Sequence, residues 1–362
     1  MYKYEHGGDI YSEKLAPNGK PFIDFSANIN PLGIPQGVKK VMLDALKLCV
    51  NYPDPFCRDL TSATAKYFHV KPEYFFFGNG AADCLFRLVL ALKPKNALLL
   101  APTFADYEKA LKTVNCKIKF YDLIEEKEYF VEDDILNKIT PRTDMVILCN
   151  PNNPTGQLTS NKLMTAILKK CEEVGAYLLI DECFMDFVVG AQDYTMLPDL
   201  ENSKQLVIMK AFTKTFAMPG IRLGFLLTSN TELIGLLHAS GQDWNVSTIA
   251  QQAGIAALEE DAYLHESKML IAEEREYLKT QLKNLGAKIY VSNSNYIFFK
   301  LERPKDLLLD LRKQGYLIRS CANYRNLGEF YYRIAVKTRV LNRGLIKAIK
   351  EAKKHAFFIN LD

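Results

Sequence analysis

The sequence predicts an α/β protein: a large domain with a mostly parallel sheet and helices on both faces, a smaller α+β C-terminal domain, and an N-terminal arm. Three observations lead there. From about residue 75 to 228, short apolar runs alternate with amphipathic stretches, the pattern of parallel strands joined by covering helices. After about residue 247 a long helical segment is followed by shorter strands. The first forty-odd residues are rich in Gly, Pro and Asn and read as an extended arm rather than a core element. At 362 residues the chain exceeds the usual single core. The expected divisions are 1–45 for the arm, packing with the small domain, 46–246 for the large domain and 247–362 for the small one.

In order along the chain, YFFF (74–77), ALLLA (97–101), KIKFYDL (117–123), DMVILC (144–149), AYLLID (176–181), QLVIM (205–209) and LGFLLT (223–228) read as strands. Between them ADCLFRLVLAL, FADYEKALKTV and SNKLMTAILKKCEEV have helical spacing. One long helical segment, from STIAQQ at 247 to KNLG at 286, leads to the strands AKIYV, NYIFFKL, YLIRS and YYRIAVK. The basic run KAIKEAKKHAF near the C-terminus reads as the solvated face of a last helix.

Hydrophobic residues at 48% and charged residues at 24% are ordinary globular proportions and argue against disorder. A formal charge of +4 with dispersed lysines makes no case for nucleic acid. The eight cysteines show no metal-ligand spacing, and most sit in apolar runs as reduced core residues, so no metal is expected. MYKYEHGGD lacks the apolar region of a secretory signal, and runs such as LFRLVLALK are broken by charge well short of a membrane span. A soluble cytoplasmic protein is expected.

The chemistry concentrates in QLVIMKAFTKTFAMPGIRLGFLLT (205–228), where two strand-like runs flank a turn carrying Thr213, Lys214, Gly220 and Arg222. An amine, a hydroxyl and a guanidinium held between buried strands suit a cofactor that is both an aldehyde and a phosphate. Lys210 competes with Lys214 for the amine role, but it ends the strand and could be a strand-edge surface lysine. Near fixed positive charge and low dielectric, Lys214 has a lowered pKa and is a free-amine nucleophile. GNGAAD (78–83) links a strand to a helix and points backbone N–H groups at one place, a phosphate geometry that a plain strand-to-helix turn would share. NPNNPTG (150–156) follows a strand at the carboxyl edge, where open α/β sheets bind ligands, and its two prolines hold an Asn side chain rigidly. Asp181 ends the apolar strand LLID, where it needs a cationic or hydrogen-bonding partner such as a protonated heteroaromatic nitrogen. Helix N-capping is the competing account for Asp181 and the better one for Glu182.

In order and spacing, these four segments resemble the fold-type I pyridoxal-phosphate enzymes, and from about residue 20 to the end the chain resembles the class I/II aminotransferase family. The resemblance implies pyridoxal 5'-phosphate in the large domain, with Lys214 as Schiff-base lysine, Asp181 on the pyridinium nitrogen and Asn153 on the ring hydroxyl. It implies that Gly80, Ala81, Thr213 and Arg222 cradle the phosphate. Tyr107, in PTFADY, matches the aromatic that stacks on the ring and joins Lys214 and Asp181 as a catalytic residue. Tyr52, in NYPDP, matches a tyrosine that reaches the neighbouring subunit's phosphate, which implies a homodimer with shared active sites. Arg333, in YYRIAVK, matches the arginine that grips the substrate carboxylate. One departure is Phe184, in DECF, where many aminotransferases have a tyrosine; the ring hydroxyl loses a donor.

Within the family, HGGD (6–9), DFSANINPLG (24–33), LIRSCANYRNLG (317–328) and Phe184 resemble the threonine-phosphate decarboxylases of cobalamin biosynthesis, although the fourth residue of HGGD is more often Asn there. Histidinol-phosphate aminotransferases usually share only the later NPLG portion, and they remain the alternative. On the decarboxylase reading His6 and Arg319 meet the substrate phosphate and Asn323 lines the pocket, with Asn153 and Arg333 also substrate-binding. A histidine so near a terminus can equally be a surface residue. A non-catalytic pyridoxal-phosphate binder is disfavoured, since the full catalytic set is present and no DNA-binding domain precedes it.

Overall fold

The structure, a computed structural model, describes residues 6–12, 15–17, 19–302, 304 and 306–358, with side chains as far as residue 354. The chain opens with β1 (Ile23–Asp24), α1 (Gln36–Ala45) and α2 (Arg58–Phe68). The alternating portion follows as β2 (Phe75–Gly78), α3 (Ala81–Leu92), β3 (Asn96–Ala101), α4 (Ala105–Lys112), β4 (Lys117–Asp122), β5 (Met145–Cys149), α5 (Asn161–Val174), β6 (Tyr177–Asp181) and β7 (Leu206–Ala211). The short α6 (Phe212–Thr215), β8 (Gly224–Leu227) and α7 (Thr231–Ala239) complete it. Then come α8 (Thr248–Ala257), α9 (Asp261–Asn284), β9 (Lys288–Ile289), β10 (Tyr296–Lys300), α10 (Leu307–Lys313), β11 (Tyr316–Leu317), β12 (Arg319–Ser320), β13 (Tyr331–Ala335) and α11 (Arg339–Phe358).

All seven strands expected between residues 74 and 228 join one sheet in the order β2-β8-β7-β6-β5-β3-β4. β8 runs antiparallel to both β2 and β7, and the other pairs are parallel. β5 and β7 are buried along their whole length, because the sheet is covered on both faces; β4, at the edge, is the strand with exposed positions. Successive residues serve opposite layers: Val146, Ile180 and Ile208 face one apolar cluster, while Ile147, Leu179 and Val207 face another. Strand order reverses between β3 and β5, so the loops after these strands diverge and open a crevice at the carboxyl edge.

The second sheet, β12-β13-β10-β9, is antiparallel and packs with α9, α10 and α11 around a separate apolar cluster. Glu125, just beyond β4, accepts from Tyr290 at 2.6 Å and Tyr331 at 2.5 Å and pairs with Lys288 at 2.8 Å, which ties this sheet to the edge of the first. The eight cysteines are unpaired, with only Cys49 exposed. No helix among the described residues is long and apolar enough to cross a membrane.

Three features depart from the sequence reading. The arm is not merely extended: β1 pairs in parallel with β11, Ile23 opposite Tyr316, and Phe25 is fully buried in the second cluster. The long helical segment breaks at Leu258–Glu260. Its first part, α8, places Ala250, Ala253 and Ala257 in the first sheet's core beside α1 and α2. YLIRS is two strands, because Tyr316–Leu317 pair with the arm while Arg319–Ser320 turn to β13.

Candidate active site

The carboxyl edge of the large sheet, the arm and the second sheet enclose a cavity of about 250 Å³. Ala81, Tyr107, Asn153, Asp181, Thr213, Lys214 and Arg222 line it from the first sheet and its loops, and His6, Arg319 and Arg333 from the arm and the second sheet. Three expected residues stand elsewhere. Gly80 lies just behind Arg222, Asn323 lines a neighbouring hollow, and Tyr52 is 80% exposed and stacks on Trp244 at 4.6 Å.

Lys214 sits in α6, at the end of β7, and its carbonyl accepts from the Asn30 N–H at 3.2 Å, so the arm holds this turn. Burial, reinforced by the Arg333 and Arg222 guanidinium groups, pushes its amine down to about 8. Lys210 is not the surface lysine expected. It is 4% exposed, with Nζ 3.4 Å from both Glu182 and Asp186, and those carboxylates hold its pKa up despite burial. Glu182 is likewise no helix cap: fully buried, it accepts from Thr195 Oγ1 and the Met196 N–H as well as from Lys210. Of the two lysines, only Lys214 is presented to the cavity as a weakly basic amine.

Asp181 ends β6 with Oδ1 accepting from the Cys183 N–H at 2.9 Å and Oδ2 from the Tyr107 hydroxyl at 2.5 Å. Burial raises its pKa, opposed by the bonds from Cys183 and Tyr107. Tyr107 thus lines the cavity with its hydroxyl engaged by Asp181. A ring tied by its hydroxyl to the carboxylate stands at the carboxylate's edge of the site, and the half-buried aromatic on the wall is Phe104, perpendicular to Tyr107 at 5.7 Å. Phe184 lines the cavity too and packs edge-on against Tyr296.

At the other end α3 begins at Gly80 with no side chain capping its first N–H groups, and Ala81 and Ala82 face the cavity. Gly80 has φ +86°, and a Cβ there would stand 2.6 Å from Arg222 Nη2. Glycine thus lets a guanidinium approach a helix N-terminus, a combination that attracts an anion. The 150–157 loop is stapled through Asn152, which donates to Pro102 O at 3.0 Å and accepts from Thr103 Oγ1 at 2.9 Å. On that frame Asn153 Oδ1 accepts from Arg333 Nη1 and lies 3.5 Å from the Tyr324 hydroxyl.

Arg333 is buried, donates to Ser26 O at 2.8 Å, and keeps a buried Nε without a partner. Its partner across the β12–β13 ladder is Arg319. Arg319 in turn donates to Asn323 Oδ1 at 2.8 Å and lies over the Tyr324 ring. Asn323 thus braces Arg319 instead of lining this cavity. Like charges directly opposite on a ladder are destabilising, so the pair calls for anions in the cavity. His6 Nε2 lies 3.0 Å from Asp106 Oδ1. The sequence reading missed Phe104, Asp106, Asn28 and Cys183, all on the wall. Asn28 has a buried, unpartnered Oδ1, and its place in DFSANIN was the available signal. Asp106 carries no local signal, since an acid in a first helical turn is commonplace. No group of three or more His, Cys, Asp or Glu among the described residues could hold a metal ion.

The sequence matches the family described as aminotransferase class I and II over residues 20–349. It is 34% identical over 354 residues to a threonine-phosphate decarboxylase of Salmonella typhimurium, covering 97% of each chain. It is 29% identical over 359 residues to histidinol-phosphate aminotransferase 1 of Bacillus anthracis, covering 96% of this chain and 93% of that one. The crystal structure of the histidinol-phosphate aminotransferase from Clostridium acetobutylicum is similar at a TM-score of 0.86 and 30% identity, covering 92% of this chain and 99% of that one.

Proposed function

The chain belongs to the class I and II aminotransferase family, enzymes that work with pyridoxal 5'-phosphate, and from that premise we propose that it decarboxylates L-threonine O-3-phosphate to (R)-1-amino-2-propanol phosphate and CO2. That reaction would place it in cobalamin biosynthesis, with serine phosphate, which carries the same two anionic groups, as a further substrate. The observation that carries the reading is the arginine pair, Arg319 opposite Arg333 on one cavity wall. Threonine phosphate has a carboxylate and a phosphate on one small molecule, so it answers both guanidinium groups at once. Histidinol phosphate has no carboxylate of its own for Arg333; on that reading only the co-substrate 2-oxoglutarate would supply one. The higher identity to the decarboxylase points the same way. Histidinol-phosphate aminotransferase is the second reading, supported by the close structural likeness to that enzyme.

The residues fit the cofactor. An uncapped helix start beside Arg222, a buried carboxylate and a weakly basic lysine face one cavity, matching a phosphate, a protonated ring nitrogen and an aldehyde. Ala81, Thr213, Arg222 and the backbone at Gly80 would hold the phosphate, Lys214 the aldehyde carbon and Asp181 the ring nitrogen. Asn153 commits its oxygen to Arg333, which leaves its amide nitrogen for the ring hydroxyl. Phe104 takes the stacking role and Tyr107 orients Asp181. When bound, the cofactor supplies an electron sink for the bond that breaks at the substrate Cα. Arg333 would grip the carboxylate while Arg319 and His6 take the phosphate, fixing Cα between them. Lys214 Nζ, with its lowered pKa, is the buried acid–base atom that can return a proton to Cα after CO2 leaves.

Tyr52 belongs to this reading through a second copy of the chain. It is exposed among Leu46, Leu48, Val50, Phe56 and Trp244, an apolar surface suited to a homodimer in which Tyr52 reaches the partner's cofactor phosphate. The test of the activity is a product assay on threonine phosphate, serine phosphate, and histidinol phosphate with 2-oxoglutarate, run in parallel. CO2 release from threonine phosphate is expected. Transamination of histidinol phosphate without any CO2 release would overturn the reading in favour of the second.

A further inference from the structure

His6, Gly7, Ser26 and Arg319 line both the active-site cavity and a neighbouring hollow of about 400 Å³, so the start of the arm is a partition between two spaces. Its backbone is fastened on one side. The Gly8 N–H donates to Ser26 Oγ at 2.7 Å, and Gly7 lies so close to the Ser26 carbonyl that no Cβ would fit. The side chain of His6 is fastened on the other side, by α4. Its ring lies 5.4 Å from that of Phe104, and Nε2 lies 3.0 Å from Asp106 Oδ1. This is a charge contact when the imidazole is protonated, and its alignment is not that of a hydrogen bond, since Asp106 Oδ1 is buried without a hydrogen-bond partner.

Asp106 is one of two carboxylates on a wall that carries Lys214, Arg222, Arg319 and Arg333. The other, Asp181, is engaged by Tyr107 and the Cys183 N–H. A buried carboxylate oxygen with no hydrogen-bond partner and an imidazole 3.0 Å away is costly unless that contact is its purpose. From this geometry we infer that Asp106 is a positioning residue, which pins His6 across the partition so that the imidazole stands with Arg319 at the phosphate end of the substrate. The inference rests on the reading of His6 and Arg319 as the phosphate station. The bland account is that Asp106, in the first turn of α4, merely stabilises the helix.

The experiment uses the cofactor-loaded enzyme, titrated with O-phospho-L-threonine and with L-threonine, following the cofactor absorbance. Asp106→Asn should weaken phosphothreonine binding about 10-fold and leave threonine within about 2-fold, the loss of one charge-assisted contact. His6→Gln should give a similar loss. The double variant should be no worse than either single one, since both remove the same contact. Asp106→Glu should recover most of the affinity. The inference is overturned if Asp106→Asn weakens both ligands alike, as a helix-stabilising role would, or weakens neither. If His6→Gln weakens phosphothreonine while Asp106→Asn does not, the positioning role alone falls. If neither variant discriminates between the ligands, the phosphate reading of His6 falls with it.

Discussion

Replacing Lys214 with Met should make the cofactor-free protein more stable while removing its chemistry. The lysine's affinity for its proton falls from the ordinary 10.5 to about 8 because the amine is buried near Arg333 and Arg222. At 1.36 kcal/mol per tenfold change, that displacement is worth about 3 kcal/mol. Lys214 lines the cavity and is not wholly covered, so solvent screening lowers the figure to about 2 kcal/mol. The sign follows from proton counts. Below about pH 8 the lysine is charged in both states, and the folded state bears the full cost. Between about 8 and 10.5 the unfolded chain holds more protons, so wild-type stability contributed by this group rises with pH; above that range the cost is gone. Urea unfolding at fixed protein concentration, at about pH 7 and pH 10, should therefore show Lys214→Met ahead by about 2 kcal/mol at the lower pH and a much smaller gap at the higher. A variant no more stable than wild type at neutral pH, or a gap that ignores pH, would refute the reasoning.

Lys210→Met, four residues away, should act with the opposite sign. It strips the cation from Glu182 and Asp186 and should cost about 3 to 5 kcal/mol in the same unfolding assay, the usual penalty for leaving buried charge uncompensated. Gly80→Ala forces a methyl against Arg222 at a left-handed φ, and cofactor retention on dialysis should fall at least about 10-fold. Arg319→Gln should raise KM for threonine phosphate about 100-fold, with binding of unphosphorylated threonine little changed. Equal loss for the two ligands would count against a phosphate role for Arg319.

The large sheet was legible because burial on both faces writes most strands as an unbroken apolar run, and all seven runs start and end within two residues of the observed strands' ends. That Lys214, Asp181 and Asn153 line one cavity was legible because each ends or follows such a run at the carboxyl edge of the sheet. Contacts between distant segments were not. Lys210 reads as a strand-end lysine until Glu182 and Asp186 are seen beside it on the far side from the cavity. The Tyr107 hydroxyl could have pointed anywhere, and nothing local signals its bond to Asp181, 74 positions away. The break between α8 and α9 falls at Leu258–Glu260, where neither Gly nor Pro marks it. β1 is two residues long, and only its partner β11 makes it a strand.

That two-residue pairing bears on how the molecule is made. β1 must wait for a partner about 290 residues downstream. At ribosomal speeds of about 5–20 residues per second, the wait is roughly 15 to 60 s. During that interval Phe25 has no core to enter, because the strands and helices that bury it lie almost entirely beyond residue 270. The segment that carries Ser26, Asn28 and Asn30 to the turn of Lys214 is thus synthesised well before β11 and seated only after it. A chain ending before β11 could assemble the seven-stranded sheet, yet it would have no latch for the arm and no Arg319 or Arg333. Competence in this enzyme arrives only once β11, β12 and β13 have been made, so a chain without them would meet cofactor and substrate with a half-built site.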